Sequence, residues 1–98
     1  MKLNGKLTAL LAGRALNTVE ELNTTVTMSW RDGSRLKVMA QSEVPITVPT
    51  GAALMQIYED GPGFELWFDR GEKVVLHLVN PGGSVSLRNP EGEVIYLG

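Results

Sequence analysis

Residues 24–40 read Thr24-Thr25-Val26-Thr27-Met28-Ser29-Trp30-Arg31-Asp32-Gly33-Ser34-Arg35-Leu36-Lys37-Val38-Met39-Ala40. Val26, Met28 and Trp30 alternate with Thr25, Thr27 and Ser29, and Leu36, Val38 and Ala40 alternate with Arg35, Lys37 and Met39. Period-two alternation of this kind marks a half-buried strand. Arg31-Asp32-Gly33 between the two runs is suited to a three-residue hairpin loop, with the glycine in the left-handed conformation. That loop sets Met28 opposite Leu36 and Val26 opposite Val38, so both apolar sets reach one face. Turn chemistry and strand pattern agree, which argues for a hairpin more strongly than either does alone.

The same turn chemistry recurs at Asp69-Arg70-Gly71, Pro81-Gly82-Gly83 and Pro90-Glu91-Gly92, and more loosely at 59–63. Strands are expected at Ala53–Tyr58, Phe64–Phe68, Lys73–Val79, Val85–Arg88 and Val94–Leu97, with a short edge strand at Ile46–Val48 between Pro45 and Pro49. The loops set Leu66 beside Val74, Phe64 beside Leu76, Val79 beside Val85, His77 beside Leu87, Leu87 beside Ile95 and Val85 beside Leu97. On this reading strand 73–79 is apolar on both faces. The second face then needs a cover: the N-terminal helix, the first hairpin or another copy of the chain.

Residues 1–22 follow a different pattern. Leu3, Leu7, Leu10 and Leu11 fit one helical face, and Asn17-Thr18 can cap a further turn before Glu20 and Glu21. The expected fold is α+β to mainly β. A helical segment at 1–22, helix over about 5–16, precedes an antiparallel region at 24–98. About seven short strands there form a meander that curls into a half-barrel or two-layer sheet.

With 98 residues, 43% hydrophobic and 20% charged, the chain suits a single globular domain. Its net charge of −2 weighs against nucleic-acid and membrane-surface partners that need a basic surplus. The apolar run Leu7–Ala12 is short for a signal sequence, and no stretch approaches a membrane span, so a cytoplasmic protein is expected. The chain has no cysteine and one histidine, and no phosphate-loop, dinucleotide or zinc-protease motif; no cofactor or metal is expected.

His77 is the only histidine and so the only obvious general base, but no nucleophile and orienting carboxylate accompany it, so an enzyme using His77 ranks third. The first expectation is a non-enzymatic interaction module acting through protein–protein contact or as a homodimer. Its anchor is Trp67, flanked by Glu65 and Asp69, with Ile95 and Leu97 near the margin of that face. The second expectation is a small barrel that contacts single-stranded nucleic acid through Arg31, Arg35 and Lys37 of the first hairpin.

Overall fold

A computed structural model describes residues 2–41 and 50–98. Its elements are β1 (Lys2–Leu3), α1 (Gly5–Leu11), β2 (Leu16–Leu22), β3 (Thr25–Trp30), β4 (Arg35–Gln41), β5 (Leu54–Asp60), β6 (Gly63–Phe68), β7 (Lys73–Leu78), β8 (Val85–Arg88) and β9 (Val94–Leu97). The expected edge strand at Ile46–Val48 lies outside the described residues.

The sheet is antiparallel and forks at β4. One edge of β4 pairs with β3, as Val26↔Val38 and Met28↔Leu36, which is the register expected from the Arg31-Asp32-Gly33 loop. The other edge is divided. Arg35–Val38 pair with Arg88–Val85 of β8, and Ala40–Gln41 pair with Leu78–His77 of β7. Met39 is the branch point: its N–H donates to Ser84 O and its carbonyl accepts from Val79 N. From β7 the sheet runs through β6 and β5 to β1, and from β8 to β9. The start of β2 then meets the approach to β5, through an Ala15↔Ala53 bridge and the exchange of Leu16 and residues 51–52. The sheet therefore curls into a half-barrel.

Alternation fills the inside. Val26, Met28, Trp30, Leu36, Val38, Phe64, Leu66, Phe68, Val74, Leu76, Leu78 and Leu87 are all buried. At one end Trp30 and Phe68 stack, with ring centroids 6.2 Å apart. Burial of this apolar set, at about 25 cal/mol per Å², is the main force holding the fold.

Helix α1 seals the other edge of β5. Leu7 and Leu11 enter the core, and Thr8 Oγ1 accepts from Ile57 N at 3.0 Å. Asn4 caps the helix by accepting from Leu7 N at 3.0 Å, while its Nδ2 donates to the Tyr96 hydroxyl at 2.9 Å and to Glu59 at 3.2 Å. An edge strand covered in this way is protected from pairing with another chain.

Three expectations fail, each for a local reason. Residues 1–22 are not one helical segment: the helix stops at Leu11, Gly13 turns at φ +84°, and Leu16–Leu22 is a strand. The three-residue spacing of Leu16 and Val19 imitates a helix. It arises from a bulge, because the register shifts between Leu16 and Thr18 and lets both side chains approach the core. Leu22, the next in that series, is left exposed.

The Pro81-Gly82-Gly83 segment does not join a hairpin either. Gly82, not Gly83, takes positive φ, and Asn80 and Ser84 tie a corner through Ser84 Oγ, which accepts from Asn80 N (2.8 Å) and donates to Asn80 O (2.7 Å). Strand β8 therefore crosses to β4, Val79 and His77 do not pair with Val85 and Leu87, and the second face of β7 is exposed instead of covered. In β8–β9 the expected register holds at Arg88↔Val94 and then slips to Leu87↔Tyr96 at a bulge. Tyr96 turns toward the core, and Leu87 and Val85 do not pair with Ile95 and Leu97.

Candidate functional site

Strands β5, β6 and β7 present one outer face. Phe64, Leu66 and Phe68 point inward, so Glu65 and Trp67 point out. Across the strands Trp67 stands between Gln56 and Lys73, and Glu65 between Tyr58 and Val75. Trp67 is 41% exposed yet held from several sides. Its Nε1 donates to Glu65 Oε1 at 3.0 Å, and Lys73 Nζ lies 3.7 Å from that same oxygen and 5.6 Å from the indole centroid. The Tyr58 ring is tilted 55° against the indole, at 5.1 Å between centroids, and the Tyr58 hydroxyl donates to Gln56 Oε1 at 2.8 Å. A fixed aromatic with apolar surface and a satisfied N–H loses little rotamer entropy on contact, which suits a binding anchor.

The apolar surface continues beyond Trp67. Val75, diagonal to it, is 57% exposed; His77 comes next on the outer face of β7, and Val79, just past the strand, is also exposed. Val79 is bonded to Met39, and Met39 lines a shallow groove of about 370 Å³ together with Lys37, Ser86 and Leu97. Leu97 is 75% exposed. No strand or helix of the described residues covers these side chains.

Of the five expected contact residues, the structure brings Trp67 and Glu65 together. Asp69 Oδ1 is used within the fold, accepting from Ala53 N at 3.1 Å. Ile95 and Leu97 lie on β9, in the other branch of the sheet, and Leu97 connects with the Trp67 face only through Met39. Met39, Val75 and Val79 were not among the expected contacts. Their exposure depends on whether a second layer covers the outer face, which strand alternation does not record. His77 is exposed on the outer face of β7, its backbone opposite Gly63 and Gln41, while Leu87 is buried in the core.

The basic residues divide into two groups. Arg35 and Lys37 project from the outer face of β4, where Arg88 of β8 lies directly opposite Arg35. Arg31 turns instead toward Gly51, beside Arg70 of the β6–β7 loop. Neither Arg70 nor Arg88 carries a local signal that would have placed it. The carboxylate beside Arg31 is already engaged: Asp32 accepts from Ser34 N at 2.9 Å and pairs with Arg14 Nε at 3.0 Å. Burial alone would raise the Asp32 pKa, but the Ser34 hydrogen bonds and the Arg14 charge outweigh it and hold the group below its ordinary 3.8.

A second, larger cleft of about 830 Å³ lies between α1, β5 and β9, and Lys2, Lys6, Glu59, Asp60 and Tyr96 line it with both signs of charge. Among the described residues no three His, Asp or Glu side chains converge as a metal site would need. No helix of the described chain is long and apolar enough to cross a membrane. No protein-family model, curated protein or solved structure matches the chain.

Proposed function

We propose that this chain is a non-enzymatic interaction module that works by protein contact, with a second copy of itself as the occupant of the Trp67 face. One observation carries the reading: two exposed apolar pairs, Trp67 with Val75 across β6 and β7, and Met39 with Leu97 in the shallow groove. Large apolar side chains exposed together on neighbouring strands commonly mark a contact surface.

Charge supports a second copy in particular. Glu65 and Lys73 flank Trp67 with one charge of each sign and pair with each other, so the face carries no net charge to repel a second copy. A net charge of −2 adds little repulsion between copies. Strand β9 ends its branch of the sheet, so its outer edge has no strand partner among the described residues. A nucleic-acid role for Arg35 and Lys37 ranks second. Arg88 strengthens the charge there, but that face of β3, β4 and β8 carries no aromatic side chain on which a base stacks.

Sedimentation equilibrium tests the proposal. The expected result is a dimer with Kd on the order of 10 μM. Val75→Asp, on an exposed position, is expected to give a folded monomer. Trp67 is expected to become less accessible to acrylamide as concentration rises, while Trp30, 2% exposed, stays shielded throughout. A monomer at about 100 μM, well above such a Kd, with Trp67 quenched equally at every concentration, would overturn self-association.

A further inference from the structure

Two hairpin turns from different parts of the chain bring arginines to one point. Arg31 leaves the β3–β4 turn and Arg70 the β6–β7 turn. Gly51 lies between them with φ +88°. The position that a Cβ would take on Gly51 is 3.5 Å from Arg31 Nη2 and 3.7 Å from Arg70 Nη2. The two guanidinium nitrogens are therefore no farther apart than those two distances joined end to end. Both arginines are exposed, so water screens their repulsion in part, and an anion between them turns it into attraction.

The carboxylates adjacent in sequence are directed elsewhere. Asp32 holds Arg14 and the Ser34 N–H, and Asp69 Oδ1 holds the Ala53 N–H. Among the described residues neither Arg31 nor Arg70 is in an ion pair. Both turns are thus arranged so that their own acid braces the backbone and their arginine points to Gly51. Gly51 supplies the room, since a side chain there would touch both guanidiniums at ordinary contact distance.

We propose that Arg31 and Arg70 clamp a phosphoryl group over Gly51. Two guanidinium forks offer a doubled positive charge and several N–H donors, which suits a tetrahedral dianion with oxygens directed to both sides. A single carboxylate is planar, carries one charge and fills only one fork. This site lies at the loop end of the half-barrel and is independent of the Trp67 face. Free phosphate and a phosphoryl group borne by a nucleotide chain share the chemistry.

The test is a titration of the ¹⁵N-labelled chain with inorganic phosphate, at constant ionic strength set with chloride. Saturable shifts are expected at the Gly51 amide and at the Arg31 and Arg70 side-chain Nε–H signals, with Kd on the order of 1 mM or below. Arg31→Gln and Arg70→Gln lie on exposed turns and each is expected to weaken binding about tenfold. Arg35→Gln, on the β4 face, is expected to leave it unchanged. Shifts that never saturate, or saturable shifts that Arg70→Gln leaves intact, would overturn the clamp. A second arm uses a mixed-sequence single-stranded oligonucleotide. Binding weakened by both clamp variants supports a phosphoryl group borne on a strand. Binding weakened only by Arg35→Gln and Arg88→Gln counts against the clamp.

Discussion

Replacing Gly33 with alanine separates two costs that the structure assigns to different hairpins. Gly33 sits at φ +94°, a conformation that costs an L-residue about 1–2 kcal/mol. An added Cβ would also stand 3.2 Å from Pro90 Cβ, because the β3–β4 turn packs against the β8–β9 turn. That contact is tighter than ordinary packing allows and adds about 0.5–1 kcal/mol as the proline ring is displaced. Gly71 (φ +81°) and Gly92 (φ +87°) share the backbone strain, but a Cβ at either would meet nothing within 4 Å. Gly33→Ala is therefore expected to cost about 1.5–3 kcal/mol and the other two about 1–2 kcal/mol each. In a chain of this size the Gly33 variant loses roughly 6–24 °C in Tm. Urea melts of the three variants, with a double-mutant cycle joining Gly33→Ala to Pro90→Gly, measure both terms. Equal losses at all three glycines with no Gly33–Pro90 coupling would refute the turn-to-turn contact. Wild-type stability in all three would refute the left-handed turns themselves, and the registers with them.

Asp32 contributes to stability through its charged form. Its folded pKa lies below the ordinary value of 3.8, so the stabilisation is complete above that value and disappears as pH falls through the folded one. Asp32→Asn is expected to be less stable than wild type at pH 7 and to converge with it as pH falls through the lowered pKa of Asp32; a gap of constant size across the acid range would contradict this. Asn4→Ala removes the cap on α1 and the bonds to Tyr96 and Glu59 together, at an expected cost of about 1–2 kcal/mol. Hydrogen exchange should quicken first in α1 and β9, and uniform acceleration across the half-barrel would show that Asn4 does not join them.

Much of the sheet could be read along the chain because its information is local. Wherever a three-residue loop joined two alternating strands, as at Arg31-Asp32-Gly33 and Asp69-Arg70-Gly71, loop length set the register and register set the buried face. Bulges broke that logic. At Asn17 and at Ile95 one extra residue shifted the pairing, and near the N-terminus the result imitated helical spacing in a strand. The alternation on β6 likewise placed Trp67 and Glu65 on one outer face before any tertiary contact was known.

Local pattern could not show where a strand goes after a corner. Pro81-Gly82-Gly83 suits a hairpin as well as a crossing, and the choice depends on which neighbour offers β8 a free edge and a matching apolar face. The first half of β4 offers both, with Leu36 and Val38 beside Leu87 and Val85. That long-range choice set Arg88 opposite Arg35. Curling of the sheet brought Arg70 to Arg31, 39 positions apart in sequence. Alternation, turns and the choice of core face were legible along the chain, because those preferences act over a few residues. Which charges meet was not, because that depends on how distant strands divide the edges of β4 and how the sheet curls.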